Sequence, residues 1–431
     1  MPTRAYTECL ESMYSMRRFG IILGLSTISN ILHGLGNPHQ TFSSIHIAGT
    51  NGKGSIASTL STILKIAGYR VGLYTSPHLI RFNERICVNG IPIEDDAVVS
   101  SWETVKAVHQ GNREPTFFEF TTAMAFLEFQ RQKVDFAVIE TGMGGRMDAT
   151  NVLSPCLSIV TNISMEHKTY LGNTIAAIAG EKAGIIKPRT PVVTGVSQQS
   201  AKKVVQEVAA EKSAPLYSKG RDFRVRRSGK DRFSYFGIDN SWNAMRLGLM
   251  GSHQVDNAAL ALAACEILMR DKIVLTREQI QSGLTSNRWP GRLEVVSEKP
   301  FVLLDGAHNL MAARRLGRFL REELENRRIT MVAGILDDKP YTSILKDLVT
   351  PCSRLIVTQP KIDRALPPET IAEAARPLIS NIEIVPDVAE AVRHALATSE
   401  SEDAICIAGS LYVVGEAKAE IEKSGNALFQ I

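Results

Sequence analysis

The sequence has no uninterrupted apolar run of about 18 residues, the length a membrane-spanning helix needs, so no membrane partner is expected. Its first residues, Met1-Pro-Thr-Arg-Ala-Tyr6, lack the apolar core of a secretory signal, and a cytoplasmic location is expected. The six cysteines, at 9, 87, 156, 265, 352 and 406, are scattered with no close pair. That pattern gives neither a disulfide framework nor a zinc knuckle and fits reduced, structural thiols. A net charge of +4 over 431 residues is too weak to argue for a nucleic-acid partner. No low-complexity segment or short repeat occurs. The string Asn-Lys-x-Asp, by which a GTPase would hold guanine, is absent as well. What remains is ordinary for a globular chain, 44% hydrophobic and 22% charged, and too long for one domain.

Against that plain background, Ser44-Ile-His-Ile-Ala-Gly-Thr-Asn-Gly-Lys-Gly-Ser55 stands out. Ile45 and Ile47 mark a short strand. Gly49, Thr50, Asn51, Gly52, Lys53 and Gly54 form a glycine-rich loop. Ser55 then opens a helix whose apolar positions 56, 60, 63, 64 and 67 repeat at helical spacing. Strand, glycine-rich loop and helix are the context of a phosphate-binding loop. Backbone N–H groups and the positive end of the helix can meet phosphate there. Lys53 would reach the outer phosphates, and the Ser55 hydroxyl could ligate magnesium. The pattern is a variant, because Gly54 stands between the lysine and the hydroxyl. A plain turn would need one or two glycines rather than three bracketing a lysine.

Two helices, over 6–19 and 28–35, precede this loop. Strands are expected at 70–75, 134–139, 155–160 and 191–194, a hairpin over 86–93 around Asn89-Gly90, and helices at 94–109, 118–132, 174–182 and 199–212. Strands alternating with helices predict a P-loop α/β fold with a doubly wound, mainly parallel sheet. Runs at 223–226, 232–236 and 245–249 suggest a small antiparallel sheet. Helices follow at 254–269 and 276–285. Beyond Trp289-Pro-Gly-Arg292 the alternation restarts, with strands near 301–304, 330–333, 354–358, 382–385 and 404–407. The expected domains are therefore 1–288, a hinge at 289–293, and a smaller Rossmann-like α/β domain over 294–431.

In such sheets ligands sit at the carboxyl ends of the strands. The loops at 49–55, 75–78, 140–151 and 161–167 all leave that edge. Glu140 there could hold a hard cation against phosphate; alone it reads as a solvated loop acid. Ser76 alone reads as a turn residue, His167 as a structural histidine, and Lys182 as an ordinary lysine near a helix end. Ser76, Glu140 and His167 together at one edge favour a metal. Asp305-Gly-Ala-His-Asn309 ends a strand of the second domain; Asp305 and His308 could orient a ribose, a phosphate or an amino acid, or the segment could be a turn with Asn309 as helix cap.

Taken together, Gly49 to Ser55, Thr75-Ser-Pro-His-Leu79, Arg81-Phe-Asn-Glu-Arg85, Glu140-Thr-Gly-Met-Gly-Gly-Arg-Met-Asp148, Gly180-Glu-Lys-Ala-Gly-Ile-Ile186, His253-Gln-Val-Asp-Asn257, Trp289-Pro-Gly-Arg292 and Asp305 to Asn309 resemble the folylpolyglutamate synthase and dihydrofolate synthase family of the Mur ligase superfamily. The resemblance spans nearly the whole chain in order. It implies an ATP- and magnesium-dependent amide ligase. ATP phosphorylates a carboxylate of the pterin substrate, and the amine of L-glutamate attacks the acyl phosphate. The substrate would be dihydropteroate or a reduced folate.

Lys53, Lys182 and His308 are the catalytic residues this implies, with Lys182 matching the lysine the family carbamylates. Gly49, Thr50, Asn51, Gly52, Lys53, Gly54, Ser55, Asn257, Arg292 and Asp305 would bind nucleotide. Ser55, Ser76 and Glu140 would lie near one magnesium ion, and His167 would ligate a second. Thr116, Phe118, Asp148 and Ala149 match a dihydropteroate-binding region, where an aromatic ring could stack on a flat pterin. A monomer is implied too.

The nearest rival is a Mur-type ligase with another carboxylate substrate. The cell-wall members carry a UDP-binding domain before the phosphate loop, and only 48 residues precede Gly49 here. A non-catalytic P-loop switch is the other alternative.

Overall fold

The computed structural model describes residues 3–16, 20, 22, 24–109 and 113–425. The chain divides into two compact units. The first holds the chain up to His78, Phe82–Gly248 and Gln254–Arg288. The second holds Leu79–Arg81, Leu249–His253 and the chain from Trp289 onward. Among the described residues no helix is long and apolar enough to cross a membrane.

The first unit is built on eight strands: β1 (Ser43–Ala48), β2 (Val71–Tyr74), β3 (Ile86–Val88), β4 (Ile91–Pro92), β5 (Phe136–Glu140), β6 (Leu157–Val160), β7 (Val192–Thr194) and β8 (Leu216–Ser218). Their order is β4-β3-β2-β5-β1-β6-β7-β8. From β2 to β8 all pairings are parallel. The β3–β4 hairpin is antiparallel. It turns at Asn89 and Gly90, both with positive φ (51° and 75°), the conformation an Asn-Gly hairpin turn requires. Every residue of β5, β6 and β7 is buried. Parallel strands covered on both faces read as continuous apolar runs for this reason. Ala137 and Ile139 enter a core with Phe120, Phe126 and Phe129. Val160 and Val192 enter another with Ile178 and Val205.

Several local expectations change. The helix after the phosphate loop starts at Lys53, not at Ser55, and runs to Ile66; Gly52, at φ 87°, turns the chain into it. The first helix spans Arg4–Ser15; of the residues expected to extend it, 17–19 lie outside the described residues. Strand β8 was not anticipated: it is a three-residue edge strand.

The small antiparallel sheet is β9 (Arg224–Arg227), β10 (Arg232–Phe236) and β11 (Ser241–Arg246). Its third strand lies earlier than the expected 245–249. Ala244 takes φ 58° and the β10–β11 register shifts between Phe233 and Tyr235, so the buried residues Trp242 and Met245 are three apart and break the period-2 pattern.

The second unit's sheet contains β12 (Glu294–Glu298), β13 (Phe301–Leu304), β14 (Ile329–Ala333), β15 (Arg354–Gln359), β16 (Ile382–Asp387) and β17 (Ala404–Ala408). The order is β12-β13-β17-β14-β15-β16. Only β12, which was not expected, runs antiparallel to its neighbour. Leu303, Met331 and Val357 feed the core on one face, and Val302, Val332 and Ile356 feed the other.

The small sheet is tied to the helix Ser252–Arg270 by one buried carboxylate. Glu266 accepts hydrogen bonds from Tyr235 Oη (2.7 Å), from the backbone N–H of Ile238, Asp239 and Asn240 (2.7, 3.1 and 2.6 Å), and from Asn240 Nδ2 (3.0 Å). Removing it strands five donors. Glu266→Ala should lower unfolding free energy by about 3 kcal/mol, against about 1 kcal/mol for Tyr235→Phe; urea titration followed by circular dichroism measures both.

Candidate active site

The strand order brings β2, β5, β1 and β6 side by side, so the loops leaving their carboxyl ends converge. The phosphate loop follows β1. Gly49 takes φ 149°, and a Cβ there would come within 1.9 Å of Thr161 Oγ1. At Gly52 a Cβ would come within 2.5 Å of Asn257 Oδ1. Only glycine allows the loop to nest this closely. Behind it, the helix Lys53–Ile66 packs on the helix Arg277–Ser286. Gly283 meets Ile63 there, with room for no Cβ (2.4 Å). Asn287 Oδ1 accepts from Ser58 Oγ (2.6 Å), and its Nδ2 donates to Thr59 (3.0 Å).

The loop after β6 braces the phosphate loop. Asn162 Oδ1 accepts from the Asn51 N–H (3.1 Å), while Asn162 Nδ2 and Thr161 Oγ1 both donate to the Asn51 carbonyl (2.7 Å each). Thr50 Oγ1 accepts from the Ser164 N–H (3.0 Å). Ser55 is buried, and its hydroxyl lies 3.3 Å from Gln254 Nε2; Gln254 in turn accepts from Asn257 Nδ2 (2.8 Å). Thr161, Asn162 and Gln254 were not singled out from the sequence, although the first two stand in a loop already placed at this edge.

Two lysines converge on one carbonyl. Lys53 Nζ donates to Gly49 O at 3.0 Å, and Lys182 Nζ donates to the same oxygen at 2.9 Å. Each has a carboxylate beside it: Glu140 lies 3.7 Å from Lys53, and Glu166 lies 2.6 Å from Lys182. Lys182 is 1% exposed. Burial pulls its pKa below the ordinary lysine value, with Glu166 opposing and Lys53 adding to the depression. Burial raises Glu166, but Lys182 and Lys53 outweigh it and hold that carboxyl below its ordinary value. Glu166 is the partner that sequence reasoning missed, although it is adjacent to the chosen His167. His167 itself takes φ 43° at the start of the helix Lys168–Leu171. The Ser76 N–H points to Glu140 Oε2 at 3.4 Å. Oxygen donors of this kind, a carboxylate and hydroxyls, suit a hard divalent cation. Among the described residues no three His, Cys, Asp or Glu side chains gather into a metal cage; a cation here would share its coordination with phosphate and water, as magnesium usually does.

The segment after β5 carries two of the expected substrate residues, Asp148 and Ala149, and the helix before β5 carries the other two, Thr116 and Phe118. Asp148 is buried and accepts from the N–H of Met143 (2.9 Å) and Thr150 (3.0 Å) and from Thr150 Oγ1 (2.5 Å). Burial pushes its carboxyl up, and those hydrogen bonds pull it back. Ala149 is buried at the start of the turn Ala149–Val152. The Phe118 ring lies against Gly142, where a Cβ would come within 2.5 Å, and 5.9 Å from the Tyr74 ring. Thr116 caps the helix Phe117–Arg131: its hydroxyl accepts from the Glu119 N–H (3.2 Å) and donates to the Glu119 carboxylate (2.9 Å). Arg113 holds that carboxylate in turn (2.7 Å).

Within the second unit, Arg292, Asp305 and His308 gather around Gly306. Arg292 Nη1 donates to Gly306 O (3.3 Å), which also lies 2.8 Å from His308 Nδ1. Asp305 accepts from the N–H of Leu293 (2.9 Å) and Ala307 (3.0 Å). Burial raises its pKa while Arg292 opposes. His253 belongs to this unit; burial, then Arg315 and Arg292, push it down to about 3. Asn309 Oδ1 caps the following helix by accepting from the Ala312 N–H (3.0 Å).

Residues 47–265 match the Mur ligase middle domain, and residues 291–411 match the Mur ligase glutamate ligase domain. A Bacillus subtilis protein named dihydrofolate synthase/folylpolyglutamate synthase is 38% identical over 429 residues, covering 97% of this chain and 99% of that protein. E. coli FolC, solved with DHPP and ADP, superposes with a TM-score of 0.89 at 30% identity over 96% of this chain and 98% of its own. A bifunctional folylpolyglutamate synthase/dihydrofolate synthase from Yersinia pestis, solved with AMPPNP and a Mn ion, gives a TM-score of 0.86 at 29% identity over 98% of this chain and 100% of its own. With both domains matched in order along nearly its whole length, the chain belongs to the dihydrofolate synthase/folylpolyglutamate synthase family of Mur ligases, enzymes that form C–N bonds.

Proposed function

We propose that this chain joins L-glutamate to a pterin carboxylate at the expense of ATP, converting dihydropteroate to dihydrofolate, extending the glutamate tail of a reduced folate, or both. The observation that carries the reading is the pair of lysines on the Gly49 carbonyl, each with its own carboxylate, directly under a phosphate loop. The substrate carboxylate oxygen attacks the γ-phosphorus and the bond to ADP breaks. The glutamate amine then attacks the acyl carbon, phosphate leaves, and the amine gives up a proton. Negative charge spreads over the transferred phosphoryl oxygens in the first step, and Lys53 with the loop N–H groups would meet it.

Ser55, Ser76 and Glu140 would hold one divalent cation, and His167 a second. When bound, such ions neutralise phosphate charge and orient the nucleotide. Asn257 beside Gly52 would border the nucleotide, and Arg292, Asp305 and His308 would contact nucleotide or substrate. Phe118, Asp148 and Ala149 would line the pterin. Thr116 would act there chiefly by fixing the helix that carries Phe118, since its hydroxyl is already engaged with Glu119.

Lys182 would be carbamylated. Burial shifts its equilibrium toward the neutral amine, and it is the neutral amine that adds to carbon dioxide, with loss of one proton. The modification turns a cation into an oxygen ligand. We also propose a cytoplasmic monomer acting on small molecules, with no nucleic-acid or membrane partner; light scattering should return the mass of one chain.

Purified protein with ATP and magnesium should release ADP only when L-glutamate and either dihydropteroate or tetrahydrofolate are present, each supplied in separate reactions. Release with neither, despite ATP binding, would overturn the reading. Lys53→Ala should lower kcat by about two to three orders of magnitude, and EDTA should abolish turnover until magnesium or manganese is restored. Protein equilibrated with 13C-bicarbonate should show one carbamate carbon resonance that is absent in Lys182→Gln; an unchanged spectrum in that variant would exclude carbamylation of Lys182.

A further inference from the structure

A buried chain of polar side chains links the strand that feeds the phosphate loop to the loop that carries Asp148. His46 lies on β1, three residues before Gly49, and is fully buried. Its Nε2 is 2.8 Å from Thr150 Oγ1. Thr150, also fully buried, donates that hydroxyl to Asp148 Oδ1 at 2.5 Å. The directions can be assigned by counting protons. Asp148 accepts backbone N–H at both carboxylate oxygens, from Thr150 and from Met143. It therefore takes the single hydroxyl proton of Thr150, and the threonine oxygen has only a lone pair left to offer His46. The ring must then carry its proton on Nε2.

The other ring nitrogen supports this assignment. His46 Nδ1 is buried with no hydrogen-bond partner. Burial, reinforced by Lys187, pushes the ring's pKa down to about 3, so it is neutral. An apolar side chain of similar size would fill the space without leaving an orphaned nitrogen. The donor at Nε2 is what histidine adds.

We propose that His46 is a positioning residue for the pterin subsite: its Nε2–H orients the Thr150 hydroxyl, which fixes the Asp148 carboxylate in the direction the substrate meets. The proposal rests on the reading of Asp148 as a pterin contact. Through β1 it also ties that contact to the strand from which the phosphate loop springs.

The test compares His46→Leu, His46→Gln and Thr150→Val with the parent enzyme. His46→Leu and Thr150→Val should each raise the KM for dihydropteroate roughly five- to tenfold, the equivalent of one buried hydrogen bond, with the KM for ATP unchanged. The double variant should be no worse than either single one. His46→Gln, whose amide can donate from a similar place, should recover most of the loss. Equal rises in both KM values, an unchanged pterin KM, or no rescue by glutamine would overturn the proposal. Nitrogen-15 NMR of the parent protein is independent of turnover and of the variants' folding. It should show His46 protonated at Nε2 and bare at Nδ1, and the opposite tautomer would overturn the proposal. Failure of the parent to use any pterin, with the expected tautomer present, would instead sink the pterin reading while leaving the tether intact.

Discussion

Two ammonium groups share the carbonyl oxygen of Gly49, and the rest of the site is arranged around that sharing. Lys53 and Lys182 repel one another, as the depressing effect of Lys53 on Lys182 records. Both are largely withdrawn from water, where charge is costly unless compensated. Glu140 supplies compensation from the end of β5 and Glu166 from the loop after β6, the two strands that flank β1. The four charges balance before any ligand arrives. A polyphosphate adds negative charge and would shift that balance, which is why a divalent cation belongs to the reading of this site. Carbamylation of Lys182 would shift it the same way, replacing one cation by an anion.

Holding this cluster requires backbone segments to approach more closely than side chains permit. Gly49 against Thr161, Gly52 against Asn257 and Gly283 against Ile63 are three such approaches. They fix the phosphate loop from the side of β6, from the helix Ser252–Arg270 and from behind its own helix. The loop is therefore set by contacts among folded elements as well as by its own glycines. Preorganisation of this kind gives the fixed dipoles and charges their effect on a developing transition state. In the second unit, Gly306 plays a comparable part, its carbonyl collecting Arg292 and His308 while Asp305 spans two backbone N–H groups.

Much of this was legible because it is local. Strand, glycine-rich loop and helix occupy consecutive residues, so the phosphate loop could be read from 49–55 alone. Glu140 could be read because it ends an apolar run, and the Asn89-Gly90 turn because few other residue pairs adopt its dihedrals. The errors are local failures of periodicity. β8 and β12 are sheet-edge strands with no strongly apolar face, and the kink at Ala244 put Trp242 and Met245 out of alternation. Thr116 kept its place near Phe118, but its hydroxyl proved to be spent on the Glu119 capping box, a pairing three residues long that the sequence also spells out.

Sequence by itself determined most of the elements, the phosphate loop and the family chemistry, since side-chain type and short-range spacing encode them directly. It did not determine which distant groups meet. That Asn162 braces Asn51 across 111 residues, and that His46 reaches Thr150 across 104, follow from β1 lying between β5 and β6. Crossover connections allow many strand orders, and local periodicity is the same in all of them. Only packing the whole sheet selects one, and with it the partners, burial and proton positions on which the chemistry depends.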